Sequence, residues 1–226
     1  MRIESFRTGR TRRLALANPC ALLWPAWSAS ALSIFAVVFF VAGCGAARPI
    51  KYYQLSYPTT APPPSPDAIN TTLMVRSFEA SHLYLSDQIV YGFDSPEMGI
   101  YQTQRWAEPP VEMLEDALVR GLRSTGRFRA VYTIRADAAS QYILGGHLYD
   151  FKEVDGSTIV ARLNYEVRLR DRKAGTTVWT HMYNHDEPVS EKTVAAVATA
   201  MGKNVQRSVQ EVQAGLEDYF RANPPK

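Results

Sequence analysis

Four histidines, two cysteines, a few adjacent carboxylates and two arginine clusters are the side chains of this 226-residue sequence that could do chemistry. His181 and His185 stand four apart on an expected strand, which puts them on one face, roughly 13 Å apart if the strand is straight. One metal ion cannot bridge that span without a bend, so neither a metal site nor a cofactor is expected. Asp186 and Glu187 beside His185, like His82 and His147, read as ordinary solvated sheet and loop residues. The sequence has no Gly-x-Ser-x-Gly elbow, no His-Glu-x-x-His pair and no phosphate-cradling glycine loop. Gly145-Gly146 falls inside a strand with no helix after it, which reads as a bulge or a close backbone approach. The carboxylate pairs Glu115-Asp116 and Asp186-Glu187 carry no independent sign of a cleft. Arg120, Arg123, Arg127 and Arg129 gather where a helix ends and cations complement its dipole. Arg168, Arg170, Arg172 and Lys173 lie on a solvated strand face and hairpin. Either set could meet anionic lipid headgroups or an acidic partner, with a plain solvated face as the default. No catalytic group emerges, and a non-enzymatic protein is expected.

The cysteines carry the covalent chemistry. Arg2, Arg7, Arg10, Arg12 and Arg13 precede an apolar run over residues 29–41, which leads into Val41-Ala42-Gly43-Cys44. A basic start, an apolar stretch of about a dozen residues and a small-residue cleavage site form a secretory signal. The cysteine directly after the small residues resembles a bacterial lipobox. That resemblance implies diacylglyceryl transfer to the Cys44 sulfur, cleavage after Gly43 and acylation of the new amino terminus. The alternative is a signal anchor over residues 29–47, near the roughly 18-residue threshold for a membrane helix. Gly45 after the cysteine matches lipoproteins sorted to the outer membrane, so a lipid-anchored protein facing the periplasm is expected. Cys20 leaves with the signal and Cys44 is consumed, so no thiol remains for a disulfide, a metal or catalysis. The formal charge of +3 also resolves, because residues 1–43 hold five Arg and one Glu. Residues 44–226 then carry 20 basic and 21 acidic groups, near −1. Exported and nearly neutral, the mature chain has no expected nucleic-acid partner.

The elements that must position these groups follow in order. Residues 44–68 read as the lipidated Cys, a short tether, a Tyr52-Tyr53-Gln54-Leu55 strand and a stiff connector from Pro58 to Pro66. If that strand joins the main sheet, the domain sits close to the membrane; otherwise residues 45–68 form one longer tether. The body, 69–226, begins with strands over Thr72–Phe78, Asp87–Phe93 and Gly99–Gln104. Pro109-Pro110 opens a helix carrying Val111, Leu114, Leu118 and Leu122, and Gly126 stops it. A strand near Phe128–Tyr132 precedes a three-stranded meander. Its middle member alternates Ile159, Ala161, Leu163, Tyr165, Val167 and Leu169 with Arg162, Asn164, Glu166, Arg168 and Arg170, giving one buried and one solvated face. Ser190 is the expected N-cap of a final helix of about thirty residues, ~45 Å long. Its far end at Leu216, Tyr219 and Phe220 is long enough to overhang toward a partner or a neighbouring subunit of a homo-oligomer. The sum is one α+β domain, a mostly antiparallel sheet covered on one face by two helices.

Several short motifs, in order, resemble the ABC-type transport auxiliary lipoprotein family, which includes the PqiC-type lipoproteins. They are the lipobox followed by Tyr52-Tyr53-Gln54-Leu55 and Pro58, then Tyr84-Leu85-Ser86-Asp87-Gln88-Ile89-Val90-Tyr91, then Trp106-Ala107-Glu108-Pro109. The meander and the Val194-Ala195-Ala196-Val197 opening of the last helix are similar too, so the likeness spans nearly all of residues 44–222, with a family domain beginning near 51. Two prolines at 109–110 and the lack of a basic residue near Asp87 depart from the pattern and leave partner contacts open. The resemblance implies a lipoprotein accompanying an MCE-type transporter, with an MCE-domain protein and its ABC permease and ATPase as partners, and no catalytic residues. In that role Tyr52, Tyr53, Tyr91 and Trp106 are candidate docking residues, since aromatics dominate interface hot spots; the competing reading is core packing. Other readings are a pilotin-like or structural envelope lipoprotein, or a direct carrier of phospholipid with an internal apolar cavity.

Overall fold

In the computed structural model the described residues are 48–56, 68–93, 95–134, 136 and 139–225. The signal, Cys44 and the proline-rich connector lie outside them. Along the chain the described strands are β1 (Lys51–Tyr53), β2 (Ile69–Val75), β3 (Glu79–Ala80), β4 (Gln88–Phe93) and β5 (Met98–Trp106), followed by helix α1 (Pro110–Ser124). Then come β6 (Phe128–Thr133), β7 (Tyr142–Asp155), β8 (Val160–Asp171), β9 (Thr177–Pro188) and helix α2 (Val194–Ala222).

Strand β7 organises the sheet. One edge pairs along its whole length with β8, antiparallel, and β8 with β9 in the same sense. The other edge is filled end to end by three parallel strands. β2 lies against Tyr142–Leu144, β3 against His147–Leu148 and β4 against Lys152–Asp155. β6 extends the sheet beyond β2, β5 extends it beyond β4, and β1 adds a parallel strand outside β5. The α+β class therefore holds, and the sheet is mixed, not purely antiparallel: the long β7–β8 and β8–β9 ladders and the β4–β5 hairpin are antiparallel, while the shorter ladders are parallel. Period-two alternation reports which face is buried and is blind to strand direction, so it cannot distinguish the two.

Burial follows the alternation. Ala161, Leu163, Tyr165, Val167 and Leu169 are fully buried on β8, facing α2 residues such as Met201, Val205 and Val212. α1 begins at Pro110 after Pro109, whose carbonyl accepts the first helical bond from the Met113 amide at 3.0 Å. The stop is Gly126, at φ 61°, a conformation that only glycine adopts cheaply. α2 is capped by Thr193, whose hydroxyl accepts from the Ala196 amide at 3.2 Å, and not by Ser190. The two helices meet at Gly121, where an added Cβ would run into Val209. The far end of α2 does not overhang. Leu216 and Phe220 are buried, with Phe220 edge-on to Tyr142 at 5.0 Å and to Phe128 at 6.0 Å.

One polar group secures α2 to the meander. Asn204, fully buried, donates through Nδ2 to the carbonyls of Ala161 (2.8 Å) and His185 (2.9 Å). Its Oδ1 accepts from the Tyr183 hydroxyl at 2.6 Å. Each buried partner is thus satisfied, as a low-dielectric interior requires.

Candidate partner-docking corner

Three sequence motifs far apart in the chain converge at one corner. β1 pairs with the end of β5, Tyr53 opposite Trp106, and the Ala107 amide donates to the Tyr53 carbonyl at 2.7 Å. The Trp106 amide donates to the Asp87 carbonyl at 2.7 Å, and the Val111 amide to the Tyr84 carbonyl at 3.3 Å. The motifs at Tyr53–Leu55, Tyr84–Asp87 and Trp106–Pro109 are therefore held together by their backbones. Leu55, two residues after β1, is buried and comes within contact reach of Gly202 on α2. Tyr84 is also buried, which pushes its phenol up to about 12, the charge of Asp150 adding to the effect.

The four candidate aromatics part company here. Tyr52 is 63% exposed on the outer edge strand. Tyr53 is half-buried and its hydroxyl donates to Gln104 Oε1 at 2.8 Å. Tyr91 is half-buried, its ring lying over Gly99 and 4.9 Å from that of Tyr101. Trp106 is 1% exposed and packs edge-on to Phe151 at 5.5 Å, so it is a core residue and cannot touch a partner. Cys44 lies outside the described residues.

Nearby, Tyr101 donates to Glu153 Oε2 at 2.9 Å. Burial holds the Glu153 carboxyl above its ordinary value, with this hydrogen bond opposing the shift. The residue escapes sequence reading because it sits on the alternating pattern as any strand glutamate would.

The remaining polar candidates are occupied separately. His181 faces Glu211 at 3.5 Å and His185 faces Glu187 at 3.4 Å, two different carboxylates. Arg120 binds Asp116, Arg123 donates to the Val131 carbonyl at 2.9 Å, and Arg127 stands 3.6 Å from Glu217. In the second cluster Arg168 pairs with Glu166, while Arg170 and Arg172 donate to the carbonyls of Gly175 and Ser140. Gly145 and Gly146 are the close approach expected of them. A Cβ on Gly145 would meet the Arg76 side chain at 2.7 Å, and one on Gly146 would run into the Glu166 carbonyl across the ladder.

The pattern of the ABC-type transport auxiliary lipoprotein component matches residues 53–213. No curated protein matches the chain. Among solved structures, the chain is similar to XCC0632 from Xanthomonas campestris, of family DUF330, at 23% identity and a TM-score of 0.69, covering 76% of this chain and 98% of that one. A second, uncharacterized protein aligns at 14% identity and a TM-score of 0.59, covering 75% and 99%. At such identities the structures establish the fold, and the family follows from the match over residues 53–213. The chain therefore belongs to the ABC-type transport auxiliary lipoprotein family, a transport-associated lipoprotein of the cell envelope and not a member of a known enzyme family.

Proposed function

We propose that the protein is held at the outer membrane by acylated Cys44, faces the periplasm and is the envelope-side adaptor of an MCE assembly served by an ABC permease and ATPase. The observation that carries this reading is the capture of β1 by the sheet. Lys51–Tyr53 pairs with Gln104–Trp106, and Lys51 lies seven residues after Cys44, at most about 25 Å of extended chain. A domain held that close is a fixture at the bilayer and not a roaming shuttle. Two grooves of about 330 Å³ bear on the choice between docking and internal carriage of phospholipid. One, lined by Glu108, Glu112, Glu115 and Asp116, is too polar for an acyl tail; the other, lined by Tyr53, Ala198, Gly202 and Lys203, mixes polar and apolar groups.

Docking then uses the outer edge of β1, with Tyr52 as its open aromatic, while Trp106 supports that edge from the core. Tyr52→Ala in the full-length lipoprotein is expected to lower co-purification of the MCE-domain protein roughly tenfold, the scale of a modest interface hot spot. Undiminished co-purification would sink the docking reading.

A further inference from the structure

The face of β7 and β8 opposite the buried Leu144 and Leu169 holds a trough of about 170 Å³ whose floor is Gly145, with Ile143 beside it. The register sets three arginines around that floor. Arg168 on β8 is directly opposite Gly145, and Arg170 is opposite Ile143. On the other side of β7, Arg76 follows β2, its amide donating to the Leu144 carbonyl at 2.9 Å. Its side chain lies across the glycine, where a Cβ would meet Arg76 Cγ at 2.7 Å and Cδ at 3.1 Å. Strands two spacings apart, about 10 Å, thus place Arg76 and Arg168 on either side of one residue that has no side chain. Arg168 is tied through Nε to Glu166, and Arg170 through Nε to the Gly175 carbonyl at 3.1 Å. Neither tie uses the terminal guanidinium nitrogens, the donors that match an oxyanion. Glu79, the one carboxylate in the lining, is 78% exposed and stands 3.8 Å from His147. A hollow walled by one sign of charge gathers counter-ions.

We propose that this trough binds a phosphate-type anion, seated over Gly145 between Arg76 on one wall and Arg168 and Arg170 on the other. A tetrahedral oxyanion offers oxygens to both walls at once, whereas a planar carboxylate meets a single guanidinium fork. The hydroxyls of Ser77 and Thr177, also in the lining, add neutral donors. The trough is smaller than the roughly 300–1,000 Å³ of a pocket for a drug-sized ligand, so it suits a phosphate group and leaves no room for an acyl chain. Glycine at 145 keeps the seat open. Free phosphate and the phosphodiester of a lipid headgroup share this chemistry. The site depends neither on the anchor at Cys44 nor on docking through β1.

The test is calorimetric titration of the full-length protein in detergent micelles with inorganic phosphate and, separately, with glycerophosphoglycerol, a soluble headgroup diester. Arg76, Arg168 and Arg170 are exposed, so glutamine at these positions leaves the fold intact. Arg76→Gln and Arg168→Gln are each expected to weaken binding about tenfold, the scale of a lost charge-assisted hydrogen bond. Gly145→Ala keeps every charge but fills the seat, and should weaken binding by at least about threefold. Arg120→Gln, in the other arginine cluster, should leave it unchanged. Tighter binding of the diester assigns the site to a lipid headgroup, and tighter binding of inorganic phosphate assigns it to the free anion. Binding of neither probe overturns the proposal, as does binding of an oligoglutamate peptide alone, which would mean an acidic protein partner. Parental affinity in Gly145→Ala alongside losses in the arginine variants also overturns it, because diffuse surface charge would then suffice.

Discussion

The corner joining β1, β5 and α1 and the tip joining β4 to β5 share a strand yet are built on opposite rules. At the corner, Trp106 is 1% exposed and three backbone bonds tie the Tyr53, Tyr84, Asp87 and Trp106 motifs into one unit. At the tip, Phe93 and Met98 are half open to solvent. The buried members of the family motifs thus serve folding, while their exposed members, Tyr52 and Leu85 among them, and the tip residues outside any motif are open to solvent. An aromatic becomes an interface candidate through exposure, not through its place in a pattern.

Trp106→Ala should cost the most, about 3–5 kcal/mol, because it empties a large buried volume against Phe151; urea unfolding measures it. A loss under about 1 kcal/mol would dissolve the distinction between corner and tip. Asn204→Ala extends the comparison to the helix–sheet contact. The Ala161 and His185 carbonyls lose their donor and the Tyr183 hydroxyl keeps only the backbone carbonyl of residue 204, at 3.2 Å, for a cost of about 2–3 kcal/mol by the same assay. Gly146→Ala should cost about 1–3 kcal/mol, since the Glu166 backbone cannot yield. Gly145→Ala meets only the flexible stem of Arg76 and should cost clearly less; the reverse order would contradict the packing described. At the tip, Phe93→Ser and Met98→Ser should change stability by no more than about 0.5 kcal/mol.

Glu153 supplies a pH-dependent contrast. Its folded carboxyl holds its proton to higher pH than the unfolded chain does, so its contribution falls as pH rises through that window. Glu153→Gln should therefore be more stable than the parent at neutral pH, with the gap closing as pH falls below the ordinary carboxylate range. Asp186 runs the other way. The Arg162 fork, at 2.8 Å to each oxygen, holds it below its ordinary value, so its contribution is lost as pH falls through the folded value.

Much of this was legible in the sequence. The apolar stripes of α1 and α2, the proline start of α1 and the alternation of β8 are local signals, and they gave elements within a few residues of the observed bounds. Strand direction, the threading of β2, β3 and β4 along one edge of β7, and the capture of β1 by β5 depend on which distant segments pair, which no local period encodes. The Thr193 cap was masked by Ser190, an equally good capping residue three positions earlier. Aromatic type singled out Tyr52 and Trp106 alike, but it could not separate the exposed ring from the one whose apolar surface is spent inside the core. Asn204 gave no signal at all, since a single amide on an apolar stripe looks like an interruption until the carbonyls it meets are known.

In the proposed role the domain is fixed at the membrane by its amino terminus and meets the MCE assembly through the outer edge of β1. The most direct test of that role is photo-crosslinking in cells from a photoreactive residue placed at Tyr52, with Arg168 as the distant control. An adduct with the MCE-domain protein is expected from position 52 and none from 168. An adduct from 168 without one from 52 would contradict it.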